Sequence, residues 1–331
     1  MPSSARFYGN NLKFYSYIAV FVLIAFYLYF NPVVGRDYNS YLEIVVKIVE
    51  GEYFREPGFS IVVIALDYIG VSNAGIVYFF RLLCVALLCR FFLKSPTPIF
   101  GLIFFILTPN ILIGTFNALQ TWLSIAIFFQ VIQLDSYHKV SSGKCFLYAI
   151  LSASFHVAGL FFIAAIVFNV LIKRLGYIPV IFTSLLLLPL LIFSFEQVIT
   201  YLGFTKYLIS INPVSFVSLV LSTLIVFSII SLNYFYPSEA RGMIFSIVFT
   251  YLLLSLALFS FSIEQQVYLR FLNYILLLFY IVFSWFLCRI ELKFAGVVFV
   301  LFSTLLVFNF INTVINIPQD MFNFEQLKLI I

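Results

Sequence analysis

The chain has 331 residues, 64% of them hydrophobic and only 9% charged, with a mean hydropathy of +1.14 and a formal net charge of +5. A soluble globule carries about 25% charged residues, so this composition leaves too few solvated side chains to cover a water-facing surface, whereas lipid demands an apolar exterior. The positive charges are scattered between apolar runs, with no basic stretch and no stacking platform, which argues against nucleic acid as a partner.

Apolar stretches long enough to cross a bilayer recur along the chain: Phe14–Phe30, Ala74–Leu93, Ile99–Ile113, Ala118–Leu134, Tyr177–Phe195, Phe216–Leu232, Met243–Ser262, Phe271–Cys288 and Phe294–Phe310. The first is expected to be a retained anchor, because Asn31-Pro32-Val33-Val34-Gly35 lacks the small-x-small pattern of a cleavage site. Two stretches do not fit a simple crossing. Phe59–Ile69 is too short to span alone, and Cys145–Ile172 is long enough for one tilted helix or for two short ones broken around His156. The expected fold is all-α: a polytopic integral membrane protein of roughly 9–11 transmembrane helices, including re-entrant or broken ones. Residues 1–331 would form a single transmembrane domain, with an extracytoplasmic amphipathic segment at 31–58 and a short tail at 316–331.

Lys and Arg placement orients the chain. Arg6 and Lys13 put the N-terminus in the cytoplasm, and Arg90/Lys94, Lys139/Lys144, Lys173/Arg174 and Arg289/Lys293 mark further inside loops. Asn31–Gly58, Asn110–Asn117, Glu196–Asn212 and Glu264–Arg270 then face outward, provided that Phe59–Leu93 makes one net crossing and Cys145–Ile172 none. Plain helices throughout would instead turn Asn117–Gln120 to the cytoplasm.

The polar segment after the first apolar run is the first place to look for chemistry. Asp37 can cap a helix, after which Tyr38, Tyr41, Val45 and Ile48 recur at helical spacing, with Asn39, Ser40, Glu43, Lys47 and Glu50 on the other side. That pattern predicts an amphipathic helix lying on the outer membrane face, or simply an interfacial loop helix. In Glu52-Tyr53-Phe54-Arg55-Glu56-Pro57-Gly58, Pro57 suits the first turn of a helix and Glu56 its N-terminus, where it can serve as a cap or as a catalytic carboxylate. Arg36 and Arg55 nearby can neutralise a diphosphate, because the guanidinium fork matches phosphate oxygens.

Arg81 lies midway along an apolar run, where an Arg costs about 2.5–3.5 kcal/mol and therefore needs a partner; Asp67 is the candidate. His156 is embedded in apolar sequence and is a functional candidate on that ground, with helix packing as the bland alternative, whereas His138 sits in a polar loop. No ordered ligand set accompanies either, so neither a metal nor a cofactor is expected. Cys84, Cys89, Cys145 and Cys288 lack CxxC spacing and are expected to pack in the core. Asn117 and Gln120 open one span, and Arg270 with Tyr274 opens another, completing a set that can converge on the outer side.

In order and spacing, Gly35-Arg36-Asp37-Tyr38-x-x-Tyr41, Glu56-Pro57-Gly58-Phe59, Asn117-x-Leu119-Gln120, Phe155-His156 and Arg270-x-x-x-Tyr274 resemble the EpsG-like branch of the Wzy-type polysaccharide polymerases. The resemblance runs from the first apolar segment to the late Arg. It departs where the family commonly has an Arg-Gln pair and this chain has Gln120-Thr121. It implies a multi-pass enzyme of the bacterial cytoplasmic (inner) membrane, of glycosyltransferase type. Such an enzyme transfers a growing undecaprenyl-diphosphate-linked glycan onto the next lipid-linked repeat unit, in O-antigen or exopolysaccharide biosynthesis. Expected partners are that lipid-linked oligosaccharide, membrane lipid, and chain-length regulator and flippase proteins. Asp37, His156 and Glu56 would be catalytic; Arg36, Arg55, Arg270, Asn117, Gln120, Tyr38, Tyr41 and Tyr274 would bind substrate. The competing readings are a flippase or transporter of lipid-linked oligosaccharide, which should show duplicated halves, and a membrane acyltransferase modifying a polysaccharide.

Overall fold

The computed structural model describes residues 17–22, 24, 37–54, 56–95, 97–108, 111, 114–132, 142–190, 193, 197, 216–235, 241–260, 265–290 and 292–316. The side chains of 142, 216–219, 221, 257–260, 265–271, 292, 293, 299 and 308–316 are left out. Most of the Phe14–Phe30 span, Arg36, Arg55, the Arg270 side chain, most of Glu196–Asn212 and the tail beyond 316 thus lie outside the described residues.

Apolar runs without period-two alternation fold as helices, and every regular element among the described residues is helical. In chain order these are α1 Tyr38–Val49, α2 Pro57–Tyr68, α3 Asn73–Leu93, α4 Pro98–Leu107, α5 Gly114–Asn117, α6 Leu119–Phe129 and α7 Ser142–Phe155. A 3₁₀ turn, Val157–Gly159, leads into α8 Leu160–Leu175, α9 Tyr177–Leu186, α10 Phe216–Phe235, α11 Arg241–Ser260, α12 Gln265–Arg289 and α13 Leu292–Asn316. Three helical segments, Asn73–Leu93, Val157–Leu175 and Leu272–Arg289, are long and apolar enough to cross a membrane. The chain divides into two compact units, residues 1–135, 147–159 and 287–331 in the first and 136–146 and 160–286 in the second.

In the first unit α1 has the amphipathic character read from its sequence. Tyr38, Tyr41, Val45 and Ile48 are its buried residues, and Asn39, Ser40, Glu43 and Lys47 are exposed. Asp37 stands at the N-cap, but its side chain makes no cap hydrogen bond; its carbonyl accepts from the Tyr41 N–H at 3.0 Å. At 12 residues α2 is about 18 Å long, short of a hydrocarbon core of about 30 Å. Helix α3, by contrast, has 21 residues and reaches about 31 Å. Every residue of α6 is buried, as expected of a helix apolar all round that forms a core. It packs against α3, α5 and the 3₁₀ turn. Helix α13 closes on α4, where the Phe100 and Phe302 rings lie 5.7 Å apart.

The long apolar run at Cys145–Ile172 is broken where its length suggested, with α7 ending at Phe155 and α8 starting at Leu160. His156 N–H donates to the Ser152 carbonyl at 3.1 Å, and the Gly159 N–H returns to the His156 carbonyl at 2.8 Å. The turn is tight enough to require glycine, because a Cβ on Gly159 would stand 2.4 Å from the Ala153 nitrogen.

The second unit is built on α8 against α11, flanked by α9 and α10. Ile172, Val180, Phe249 and Leu253 form its core with Phe168, Ile181, Leu188 and Phe245 packed around them. Ser246 and Thr250 direct their hydroxyls to the Gly242 and Ser246 carbonyls of their own helix, at 2.9 and 2.7 Å. Outward faces in this unit are apolar: Ile178, Phe182, Leu186 and Phe227 are all well exposed. Cys84, Cys89 and Cys145 are buried as expected, but Cys288 is exposed, near the end of α12, and so does not pack in the core.

Candidate functional site

Pro57 presets the first-turn φ of α2 and loses nothing by lacking an N–H there. Glu56 is left at the N-cap, with its carbonyl accepting from the Ser60 N–H at 2.9 Å. Its side chain does not cap the helix. One carboxylate oxygen instead lies 2.5 Å from His156 Nδ1, and the other accepts from Gln120 Nε2 at 2.6 Å. Three residues separated by 64 and 100 positions in sequence thus meet on one carboxylate.

Each stands at a helix end: Glu56 ahead of α2, Gln120 second in α6, His156 just past α7. Side chains at such ends lie beside backbone groups that no longer pair within the helix, so they are placed for polar work rather than for packing. The Glu56 side chain keeps 7% of its surface exposed and that of His156 22%. A carboxylate buried to this degree is tolerated only when it is hydrogen-bonded, and here the amide and the imidazole both satisfy it. With Nδ1–H donating to Glu56, the imidazole carries its lone pair on Nε2, the tautomer that can accept a proton.

Two contacts hold the three helices in register. Ser124, one turn after Gln120, and Ser152, one turn before His156, have their hydroxyl oxygens 2.7 Å apart, and the Ser152 hydroxyl also reaches the Ser124 carbonyl at 2.8 Å. Gly58, two residues after Glu56, lets α2 approach α7 so closely that a Cβ there would lie 2.3 Å from Ser154 Oγ. Sequence reasoning passed over both serines. The available signal was their spacing, four residues from two singled-out side chains in otherwise apolar helices.

Beside this cluster Arg81, 1% exposed, points from α3. Its guanidinium carbon lies 5.2 Å from the Tyr38 ring centre and 5.9 Å from that of Phe116, and Nη2 donates to the Phe116 carbonyl at 3.4 Å. Asp67, the expected partner, is exposed on α2 and does not fill that role; the contacts described for Arg81 include the two rings and a carbonyl, and a guanidinium is weakly hydrated and stacks on aromatic faces. Tyr41 reaches the Asn117 carbonyl at a long 3.4 Å. Tyr38, Tyr41 and Asn117 are thereby gathered around Arg81, and Asn117 is linked through Ala118 to the helix carrying Gln120. Asp37 is half-buried one residue before Tyr38.

Tyr274 belongs to the second unit, where it is buried with its ring 4.8 Å from Phe161 and 5.2 Å from Phe162. Arg270 lies one turn earlier in the same helix, its side chain outside the described residues, as are Arg36 and Arg55. No protein-family model, curated protein or solved structure matches the chain.

Proposed function

We propose that the chain is a membrane-embedded polymerase of bacterial surface polysaccharide, with His156 as its general base. The observation that carries this reading is the Glu56 carboxylate bridging His156 and Gln120 at 2.5 and 2.6 Å. The apolar outward faces and the three long apolar helices support a membrane location; the count of roughly 9–11 spans rests on the apolar runs of the sequence, and the Glu56 end of α2 at the outer face of the cytoplasmic membrane rests on the charge distribution. The resemblance of the spaced motifs to the EpsG-like polymerases supplies the substrate class: a glycan on undecaprenyl diphosphate.

In the proposed reaction a hydroxyl of the acceptor repeat unit attacks the anomeric carbon of the growing chain. The new glycosidic C–O bond forms as the bond from that carbon to the diphosphate breaks. The hydroxyl proton passes to His156 Nε2, and undecaprenyl diphosphate leaves with the electron pair. Glu56 is a positioning residue: it fixes the tautomer and stabilises the imidazolium, the part a carboxylate plays in other carboxylate–histidine pairs. Gln120 holds the second carboxylate oxygen and so keeps Glu56 turned to the imidazole. The pairing favours His156 over Asp37 as base and leaves Asp37 to bind substrate beside Tyr38 and Tyr41. Negative charge grows on the departing diphosphate, which cations must meet; Arg36, Arg55 and Arg270 are assigned that part.

The test is the glycan made by cells carrying Glu56→Gln or His156→Ala. Loss of long chains with single repeat units retained, at normal protein level in the membrane, supports the reading. Absence of even a single repeat at the outer face would point to export, and unchanged chain length would end the proposal. Glu56→Gln is informative on its own, because it removes the carboxylate charge that stabilises the imidazolium without removing the ring.

A further inference from the structure

The second unit has a cavity of about 220 Å³ at the end where α10 finishes and α9 and α11 begin. Ile229, Ile230, Ile244, Phe245 and Val248 form an apolar wall, and Tyr177, Asn233, Tyr234 and Arg241 a polar mouth. The Arg241 guanidinium lies 5.5 Å from the Tyr234 ring centre, and Tyr177 stands edge-on to Phe245 at 4.8 Å. Asn233 is buried, its amide donating to the Arg241 carbonyl at 3.4 Å. Lys173 and Arg174 occupy the last turn of α8, four and three residues before Tyr177, and both are exposed. Among the described residues of this unit there is no carboxylate.

We propose that this cavity binds one anionic phospholipid, its phosphate at Arg241 and its acyl chain along the Ile229–Ile230–Ile244–Phe245–Val248 wall. Charge and shape choose the occupant. Arg241, Lys173 and Arg174 outnumber the one acid close to Arg241 in sequence, Glu239, which lies outside the described residues, so this end favours an anion, and an apolar wall running back from Arg241 selects an anion with a hydrocarbon tail. Tyrosines at such a mouth have the amphipathic form suited to headgroup depth. By the positive-inside rule the Lys173/Arg174 end faces the cytoplasm, where anionic lipids concentrate and basic pockets between helices take their headgroups. The inference rests on the membrane reading above, but not on the polymerase reading.

The experiment uses the full chain purified in mild detergent and read by native mass spectrometry after incubation with equal amounts of phosphatidylglycerol and phosphatidylcholine. Retention of phosphatidylglycerol about fivefold over phosphatidylcholine is expected, falling to parity in Arg241→Gln, the change that one cation near a membrane surface typically makes. Arg241→Lys should keep the preference, and Ile230→Trp, which fills the wall from a partly exposed position, should lower retention without touching the charge. Equal retention of both lipids, a preference that survives Arg241→Gln, or retention unchanged in Ile230→Trp overturns the proposal. If millimolar inorganic phosphate displaces the phosphatidylglycerol, the site belongs to free phosphate and the lipid assignment falls. A chain that fractionates with soluble protein on cell lysis would remove the membrane premise itself, an outcome separate from failure of lipid binding in a membrane-borne protein.

Discussion

The Glu56 site of the first unit and the α11 serine and threonine of the second put polar side chains to different uses. In the first, the residues that meet at the site come from the ends of helices of 12, 11 and 14 residues, and their side chains bond across helices. In the second, α10 and α11 each run 20 residues, and Ser246 and Thr250 turn back on their own backbone. Short helices expose more termini per residue, and each terminus has unpaired backbone groups that need polar company. In lipid that company must come from protein or a water-lined cavity. Short helices are therefore costly for a passive span but useful where charged and hydrogen-bonding groups must converge. On the proposed function, the chemistry would fall at the helix ends of the first unit, where Glu56, Gln120 and His156 meet.

The sharpest break would come at His156. His156→Ala should lower chain extension by about 10²–10⁴, the usual contribution of a general base, with protein in the membrane at near-normal amount; polymer length on gels and immunoblots of membranes measure the two. A fall in abundance proportional to the fall in product would make His156 a packing residue and remove the distinction between the units. Next in size is Gly58→Ala. Its Cβ would meet Ser154 Oγ at 2.3 Å, Ser154 Cβ at 3.0 Å and the Ser154 carbonyl carbon at 3.1 Å; the hydroxyl can rotate away only by giving up its bond to the Leu151 carbonyl, and the other two atoms require α2 and α7 to part slightly, which displaces Glu56 relative to His156. Misplacement by about 1 Å can cost about 10² in rate. Adding Ser154→Gly removes the two nearest atoms and should restore part of the activity, which loss of folding unrelated to that contact would not allow.

Arg81→Ala is expected to act differently from both. It empties a buried place between the Tyr38 and Phe116 rings and removes cation–π contacts worth about 0.5–2 kcal/mol each, so protein abundance should fall first. Product per molecule surviving in the membrane should hold within a few-fold. A full-length, abundant Arg81→Ala protein with no activity would move Arg81 from the frame of the site into its chemistry.

Much of this was legible in the sequence where length or period set a physical constraint. The α1 face of Tyr38, Tyr41, Val45 and Ile48 followed from helical spacing, and the break at His156 was one of the two arrangements, a single tilted helix being the other, that the length of its apolar run allowed. Glu56, His156 and Gln120 could each be singled out as polar groups at the edge of apolar sequence. Their meeting could not, because it depends on how α2, α6 and α7 pack, and nothing local in the sequence encodes a contact across 100 residues. Arg81 was misread for a related reason. A charge-pairing rule points to Asp67, but aromatic rings and a carbonyl can satisfy a guanidinium, and these are too common here for sequence to mark which ones do.

The smallest expected effect tests the comparison most finely. Ser124 and Ser152 bond across α6 and α7 at 2.7 Å, one turn below Gln120 and His156, whereas Ser246 bonds within α11. Interhelical hydrogen bonds in membrane proteins average about 0.6 kcal/mol in double-mutant cycles, so Ser124→Ala and Ser152→Ala should be coupled by about that much in thermal unfolding of the purified chain. Ser246→Ala should be nearly neutral, since an intrahelical back-bond slightly destabilises a helix rather than holding two together. The rate should separate them further. Loosening α6 against α7 shifts Gln120 and His156 relative to Glu56, so Ser152→Ala should slow extension several-fold, with Ser152→Thr recovering it through the retained hydroxyl, while Ser246→Ala leaves extension unchanged. Equal loss of rate from Ser152→Ala and Ser246→Ala would mean that general loosening, rather than the register of the site, sets turnover.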